Sequence, residues 1–146
     1  RLLYESIQIT DCGPVSGHSA QTQAKLQIMM QYIHDNYSGQ ITLDDIAGTV
    51  LICKSSVLNI FRIYLHTSPI NYVVEYRLKR ASKLLVDTEN SVCAIAHETG
   101  FENIGYFCRR FKKLYGVTPI NYRKYYRSAE RNSMRNIHSD TNVLSG

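Results

Sequence analysis

Arg109, Arg110, Lys112 and Lys113 bring four cations into five residues, inside a stretch that reads GFENIGYFCRRFKKLYGVTPINYR from Gly100 to Arg123. A guanidinium can donate two hydrogen bonds to O6 and N7 of guanine, and a lysine ammonium can neutralise a phosphate. The same stretch spaces Phe107, Phe111 and Leu114 as the buried face of a helix. Tyr106 and the four cations are then left mostly to solvent. Gly116 stands where this helix must stop, because glycine accepts the left-handed conformation that closes a C-terminus. Thr118 follows as an N-cap, with Pro119 at the first helical position, where its missing N–H is no loss. A short helix with one apolar and one basic face suits the presentation of side chains to DNA; an ordinary amphipathic surface helix is the alternative.

A repeat favours the first reading. Residues 66–77 read HTSPINYVVEYR and residues 116–127 read GVTPINYRKYYR. Pro69, Ile70, Asn71, Tyr72, Tyr76 and Arg77 return as Pro119, Ile120, Asn121, Tyr122, Tyr126 and Arg127. Phe61 and Arg62 match Phe111 and Lys112 at the same offset, and Ile46-Ala47 matches Ile95-Ala96 with a slip of one. Two diverged copies of one unit therefore fill most of residues 42–127.

The net charge of +5 follows the repeat. Before residue 54 two basic residues, Arg1 and Lys25, face five acidic ones, whereas Lys54 to Arg131 holds fourteen Lys and Arg against six Asp and Glu. Solubility alone would not concentrate charge in one part of the chain, and a polyanion is the natural partner.

Other chemistries find little support. His18, His34, His66, His97 and His138 are scattered, with no Asp, Ser or Cys partner at triad spacing, and no phosphate loop occurs. No enzyme is expected. Cys12, Cys53, Cys93 and Cys108 have neither C-x-x-C spacing nor His partners, and are read as free thiols in a reducing compartment. No metal and no cofactor is expected. RNA recognition usually uses exposed aromatics on sheets or loops, whereas the tyrosines here fall mostly on apolar faces. No apolar run approaches the roughly 18–20 residues that span a bilayer, and a cytoplasmic location is expected.

The elements that must position these side chains are all helical. Residues 1–22, broken by Gly13-Pro14 and Ser16-Gly17, are expected to be a linker or the remnant of an upstream domain. A helix is predicted from about Gln23 to Tyr37, with Leu26, Met29, Met30, Ile33 and Tyr37 inward. Thr42 caps a short helix with Asp44 and Asp45 in its first turn and Leu43, Ile46, Ala47 and Val50 inward. A second follows over about Ser55–Leu65, with Val57, Phe61 and Tyr64 or Leu65 inward and Ser55, Ser56, Leu58, Asn59 and Arg62 outward. Two short helices around a tight turn, with the small Ala47 where they cross, make a helix-turn-helix unit. Ser68-Pro69 opens the longest helix, about 69–86, roughly 27 Å long at 1.5 Å per residue. Ser91 caps the first helix of the second unit. Residues 128–146 are polar and aperiodic, and a disordered tail is expected.

The pattern resembles the DNA-binding domain of AraC/XylS-type bacterial transcription regulators. The resemblance covers about residues 23–127 and is carried by Ile46-Ala47, Phe61-Arg62, Ser68-Pro69, Tyr72, Arg77, Ala81, Leu84-Leu85, Ile95-Ala96, Gly100-Phe101, Tyr106-Phe107, Arg109, Phe111-Lys112-Lys113, Gly116, Thr118-Pro119 and Tyr122-Arg123. It implies an all-α fold of about seven helices, with two helix-turn-helix subdomains (about 23–67 and 91–127) joined by the long helix. It also implies that helices 55–65 and 104–115 enter adjacent major grooves on one face of a duplex. Asn59 departs from the family's usual Arg, Cys53 from a capping Ser, His66 from a helix-ending Gly and Gly105 from a Ser.

Within that frame the residues divide by chemistry. Arg109 is the first candidate for base reading, with a phosphate contact or a solvated charge as the alternatives. Asn59, at the equivalent place, offers the pattern that bonds adenine N6 and N7. Tyr106 either meets a thymine methyl or a phosphate, or packs as an aromatic. Ser55, Ser56, Gly105 and Cys108 are small enough for close approach to base edges, and Leu58 either touches a thymine methyl or covers a neighbouring turn. Arg62, Lys112 and Lys113 are assigned to phosphates, which position without reading sequence. Lys54, Arg77, Arg110 and Arg123 are either phosphate anchors or solvated charges.

The partners expected are double-stranded DNA and, as a candidate, RNA polymerase. A small-molecule effector would act only through an N-terminal sensing domain upstream of this stretch, which is itself expected to be monomeric.

Overall fold

The computed structural model describes residues 20–144, with side chains through residue 135. Those residues form seven helices and no strand: α1 Ala20–Asn36, α2 Leu43–Val50, α3 Lys54–Leu65, α4 Pro69–Asp87, α5 Val92–Glu98, α6 Ile104–Tyr115 and α7 Pro119–Leu144. The fold is all-α, as the patterning requires. The chain divides into two compact units that meet within α4, between Arg77 and Leu78.

In the first unit α1 buries Leu26, Met29 and Ile33 on one stripe, and begins at Ala20, three residues before the expected start. Thr42 caps α2 through a reciprocal capping box: its hydroxyl accepts from the Asp45 N–H, and the Asp45 carboxylate accepts from the Thr42 N–H. Those bonds hold the Asp45 carboxyl below its ordinary range. The chain turns by 88° between α2 and α3, near the crossing usual for a helix-turn-helix. Ile46, Ala47, Val57, Ile60, Phe61 and Val73 close the core against α1.

Two helices end in left-handed backbone without a glycine. Leu51, at the end of α2, and His66, at the end of α3, both adopt left-handed backbone with φ of 55°, a conformation that is strained for a residue with a Cβ. Gly116 closes α6 at the place that matches His66 in the repeat, with φ of 81°, and glycine takes it without penalty. Cys53 precedes α3 but makes no side-chain cap bond. It is disulfide-bonded rather than a free thiol, a pairing that spacing alone could not reveal. Cys93 and Cys108 are free.

In the second unit Leu78, Ala81 and Leu85 of α4 and Ile95 and Ala96 of α5 are buried with Phe101, Phe107 and Phe111. The aromatic rings continue into α7: Phe111 lies 4.6 Å from Tyr115 and 5.3 Å from Tyr122, and Tyr122 lies 4.4 Å from Tyr126. Leu114, expected inward, is 41% exposed. Tyr115 is turned inward instead, its hydroxyl donating to Ser82 Oγ at 3.2 Å. The buried stripe of α6 is therefore centred on Phe111, because both α4 and α7 pack against it.

The polar stretch after Arg127, expected to be disordered, continues as helix to Leu144. It holds no proline or glycine before Gly146 to interrupt α7. The expected linker falls outside the described residues as far as residue 19. Among the described residues no single helix is long and apolar enough to cross a membrane.

Candidate nucleic-acid interface

Each unit presents one helix whose inner face is core and whose outer face carries hydrogen-bonding groups and cations. On α3, Val57, Ile60 and Phe61 are buried, and Lys54, Ser55, Leu58 and Arg62 are exposed, with Asn59 half-buried among them. Ser56, a candidate for base contact, is only 2% exposed. Its hydroxyl lies 3.3 Å from Cys53 Sγ, in the turn that leads into the helix, so it packs the turn and cannot reach a base. Ile63, unflagged in the sequence, is exposed at the far end of the same face.

Three of the remaining candidates on α3 are already engaged. The Arg62 guanidinium donates to Asn59 Oδ1 at 3.1 Å, so the amide proposed for adenine shares its oxygen with a neighbour one turn away. Lys54 Nζ lies 3.2 Å from Asp44 Oδ1, a pair exposed on both sides and therefore weak.

On α6, Phe107 and Phe111 are buried while Gly105, Tyr106, Arg109, Lys112 and Lys113 are exposed; Cys108 and Arg110 are half-buried. The Asn103 carboxamide caps the helix by accepting from the Tyr106 N–H at 2.8 Å. Arg110 reaches back one turn, donating to the Tyr106 hydroxyl at 3.2 Å with its guanidinium 5.9 Å from the ring centre. Arg109 turns the other way, over Gly105: a Cβ built on that glycine would lie 3.5 Å from Arg109 Nη1. Lys112 and Lys113 occupy the last turn, where the helix dipole favours cations.

Two of the arginines expected to be either phosphate anchors or solvated charges have other partners. Arg77 donates from Nε to the Tyr37 carbonyl and from Nη2 to the Gly39 carbonyl, both at 2.6 Å, and so holds the turn between α1 and α2. Arg123 donates to the carbonyls of Leu85, Thr88 and Asn90 and holds the turn between α4 and α5. Arg127 joins it there, bonding the Thr88 carbonyl at 2.7 Å and pairing with Glu89 at 2.9 Å. That hydrogen bond and charge keep the Glu89 carboxyl below its ordinary range. The repeat matched Arg77 with Arg127, and the two do the same work in their own units. That match was the signal for a structural role. Among the described residues no group of three or more His, Cys, Asp or Glu could hold a metal ion.

A family model described as "Helix-turn-helix domain" matches residues 42–125. A Bacillus subtilis protein named as the uncharacterised HTH-type transcriptional regulator YdeC is 31% identical over 100 residues, which are 68% of this chain and 34% of that protein. The chain thus spans about a third of that relative. Among solved structures, a Chromobacterium violaceum transcriptional regulator described as containing an AraC-type DNA-binding domain superposes with a TM-score of 0.68 at 30% identity, covering 73% of this chain and 95% of that one. A DNA-binding transcriptional dual regulator from Escherichia coli K-12 superposes with a TM-score of 0.63 at 26% identity, covering 81% and 99%.

Proposed function

Because this chain belongs to the AraC-type helix-turn-helix family of DNA-binding domains, we propose that α3 and α6 read duplex DNA from adjacent major grooves. The observation that carries this reading is the repetition itself. Each unit spends one helix face on its core and leaves the other lined with Arg, Lys, Asn and small residues. Successive major grooves on one side of a duplex lie about 34 Å apart. At nineteen residues α4, which carries the boundary between the two units, is about 28 Å long.

The division of labour is narrower than the sequence suggested. Arg109 reads a base, with Tyr106 and Cys108 beside it; Asn59, Ser55 and Leu58 make the corresponding contacts on α3. Arg62, Lys112 and Lys113 contact phosphates, and Arg77 and Arg123 hold the scaffold. The longer protein is a transcription regulator rather than a catalyst, acting in the cytoplasm, with an effector bound by a separate sensing domain and RNA polymerase as a further partner. The stretch described here binds as a monomer.

The test is a comparison of two substitutions on one panel of point-mutated duplexes. Arg109→Ala is expected to abolish preference at one base pair, worth ~1–3 kcal/mol. Lys112→Ala is expected to weaken every duplex alike and to lower the slope of log affinity against log salt by ~0.9. A uniform loss from both changes would refute the base-reading assignment of Arg109.

A further inference from the structure

His66 adopts a backbone conformation that the second unit gives to glycine. It closes α3 with φ of 55°, and Gly116 closes α6 at the matching place with φ of 81°. Both do the same local work. The His66 N–H donates to the Arg62 carbonyl at 3.1 Å, and the Gly116 N–H donates to the Lys112 carbonyl at 2.8 Å. Glycine does so without steric cost, whereas a residue with a Cβ does so under strain. Closing the helix therefore needs no side chain, and strained backbone of this kind gathers at binding and catalytic sites.

The position suits one ligand. The bond to the Arg62 carbonyl holds His66 one turn beyond Arg62, so Asn59, Arg62 and His66 follow at helical spacing along the side of α3 that carries its polar groups. His66 is exposed there. The N-terminal residues of a recognition helix meet base edges, so a residue past the last turn, in line with Arg62, lies toward the phosphates that border the groove. The repeat shows what that end of α3 lacks. The last turn of α6 carries Lys112 and Lys113. At the same offset α3 carries Arg62 and Ile63, the isoleucine 36% exposed. One cation is missing from the end of α3, and an imidazole stands just beyond it where α6 has none. An imidazole N–H donates to a phosphate oxygen in either protonation state, and the negative end of the helix dipole favours the charged one.

We infer that His66 contacts DNA: its imidazole donates to a backbone phosphate at the edge of the groove that α3 enters, supplying on this helix the contact that Lys113 supplies on α6. The inference rests on α3 facing DNA, and it accounts for a strained residue standing where the second unit has glycine.

The experiment uses the full 146-residue chain and its preferred duplex, selected from a randomised pool. Single methylphosphonates, each removing the charge of one phosphate, are placed along both strands. Affinity is measured for the parent, His66→Gly, His66→Asn and Arg62→Ala, each checked by thermal unfolding. Asparagine tolerates the left-handed backbone but is shorter than the imidazole. Both His66 variants are expected to bind the unmodified duplex roughly two- to tenfold more weakly, with stability kept or raised in His66→Gly. Base-pair changes should cost them what they cost the parent. At one phosphate beside the groove of α3, a methylphosphonate should weaken the parent by that same factor and leave both His66 variants unaffected. Unchanged affinity in His66→Gly overturns the inference, and so does a loss that no single phosphate accounts for. A fall in stability in both His66 variants overturns it too, because the imidazole would then serve the fold. If Arg62→Ala becomes insensitive at a phosphate of its own while His66→Gly does not, the inference fails alone. If neither does, α3 does not face DNA, and the premise falls with the inference.

Discussion

Replacing Arg77 by alanine separates the two roles open to a cation in this fold. Arg77 is half-buried and donates two charge-assisted bonds of 2.6 Å to the carbonyls of Tyr37 and Gly39. Bonds of this kind are worth ~1.5–3 kcal/mol each. Gly39 is exposed, so its carbonyl regains water when the guanidinium goes, and only the Tyr37 bond retains most of its value. The net loss is about 2 kcal/mol, which for a unit of this size corresponds to roughly 10 °C in Tm. Arg77→Lys should recover little, since an ammonium cannot fork between two carbonyls as a planar guanidinium does. Thermal or urea unfolding measures the loss, and a salt titration of DNA affinity measures phosphate contact. Arg77→Ala is expected to destabilise the first unit while leaving the salt slope unchanged at a temperature where the variant is folded. Unchanged stability with a slope lowered by ~0.9 would show that Arg77 lies on a phosphate and that the clamp contributes nothing.

Other consequences can be measured on the same protein. His66→Gly should stabilise the chain by about 1 kcal/mol, because it relieves a left-handed backbone that glycine accepts; a loss of stability would mean that the imidazole has a role of its own there. His34 lies 2.8 Å from the Tyr72 hydroxyl and 4.2 Å from the Tyr76 ring centre, and burial lowers its pKa, opposed by Asp35. Between that lowered value and the ordinary 6.5 the unfolded chain binds more protons, so stability should rise with pH across this window. His34→Gln should flatten that rise, as read from urea midpoints at several pH values.

Much of this architecture was legible because it follows from periodicity and punctuation. Phe107 and Phe111 at helical spacing, Thr42 and Ser91 before apolar runs, and Gly116 after one, each specify an element locally. The readings that failed depended on what lay across the fold. Ser56 is polar and was assigned to solvent, but a hydroxyl is small enough to pack the turn beside Cys53. Leu114 and Tyr115 are adjacent, and only the packing of α4 and α7 decides which of them turns inward. Arg77 and Arg123 read as phosphate anchors or solvated charges in the sequence because their carbonyl partners lie more than thirty residues away. The helical continuation past Arg127 has no apolar stripe to announce it, only the absence of a breaker.

The account depends most on two matching helices addressing one side of a duplex. Hydroxyl-radical protection and guanine-methylation interference on the preferred duplex test that directly. Two protected tracts are predicted, centred about 10 base pairs apart on the same face, with Arg109→Ala erasing guanine interference in one and Asn59→Ala removing discrimination at an adenine in the other. A single tract, or two tracts on opposite faces, would contradict it.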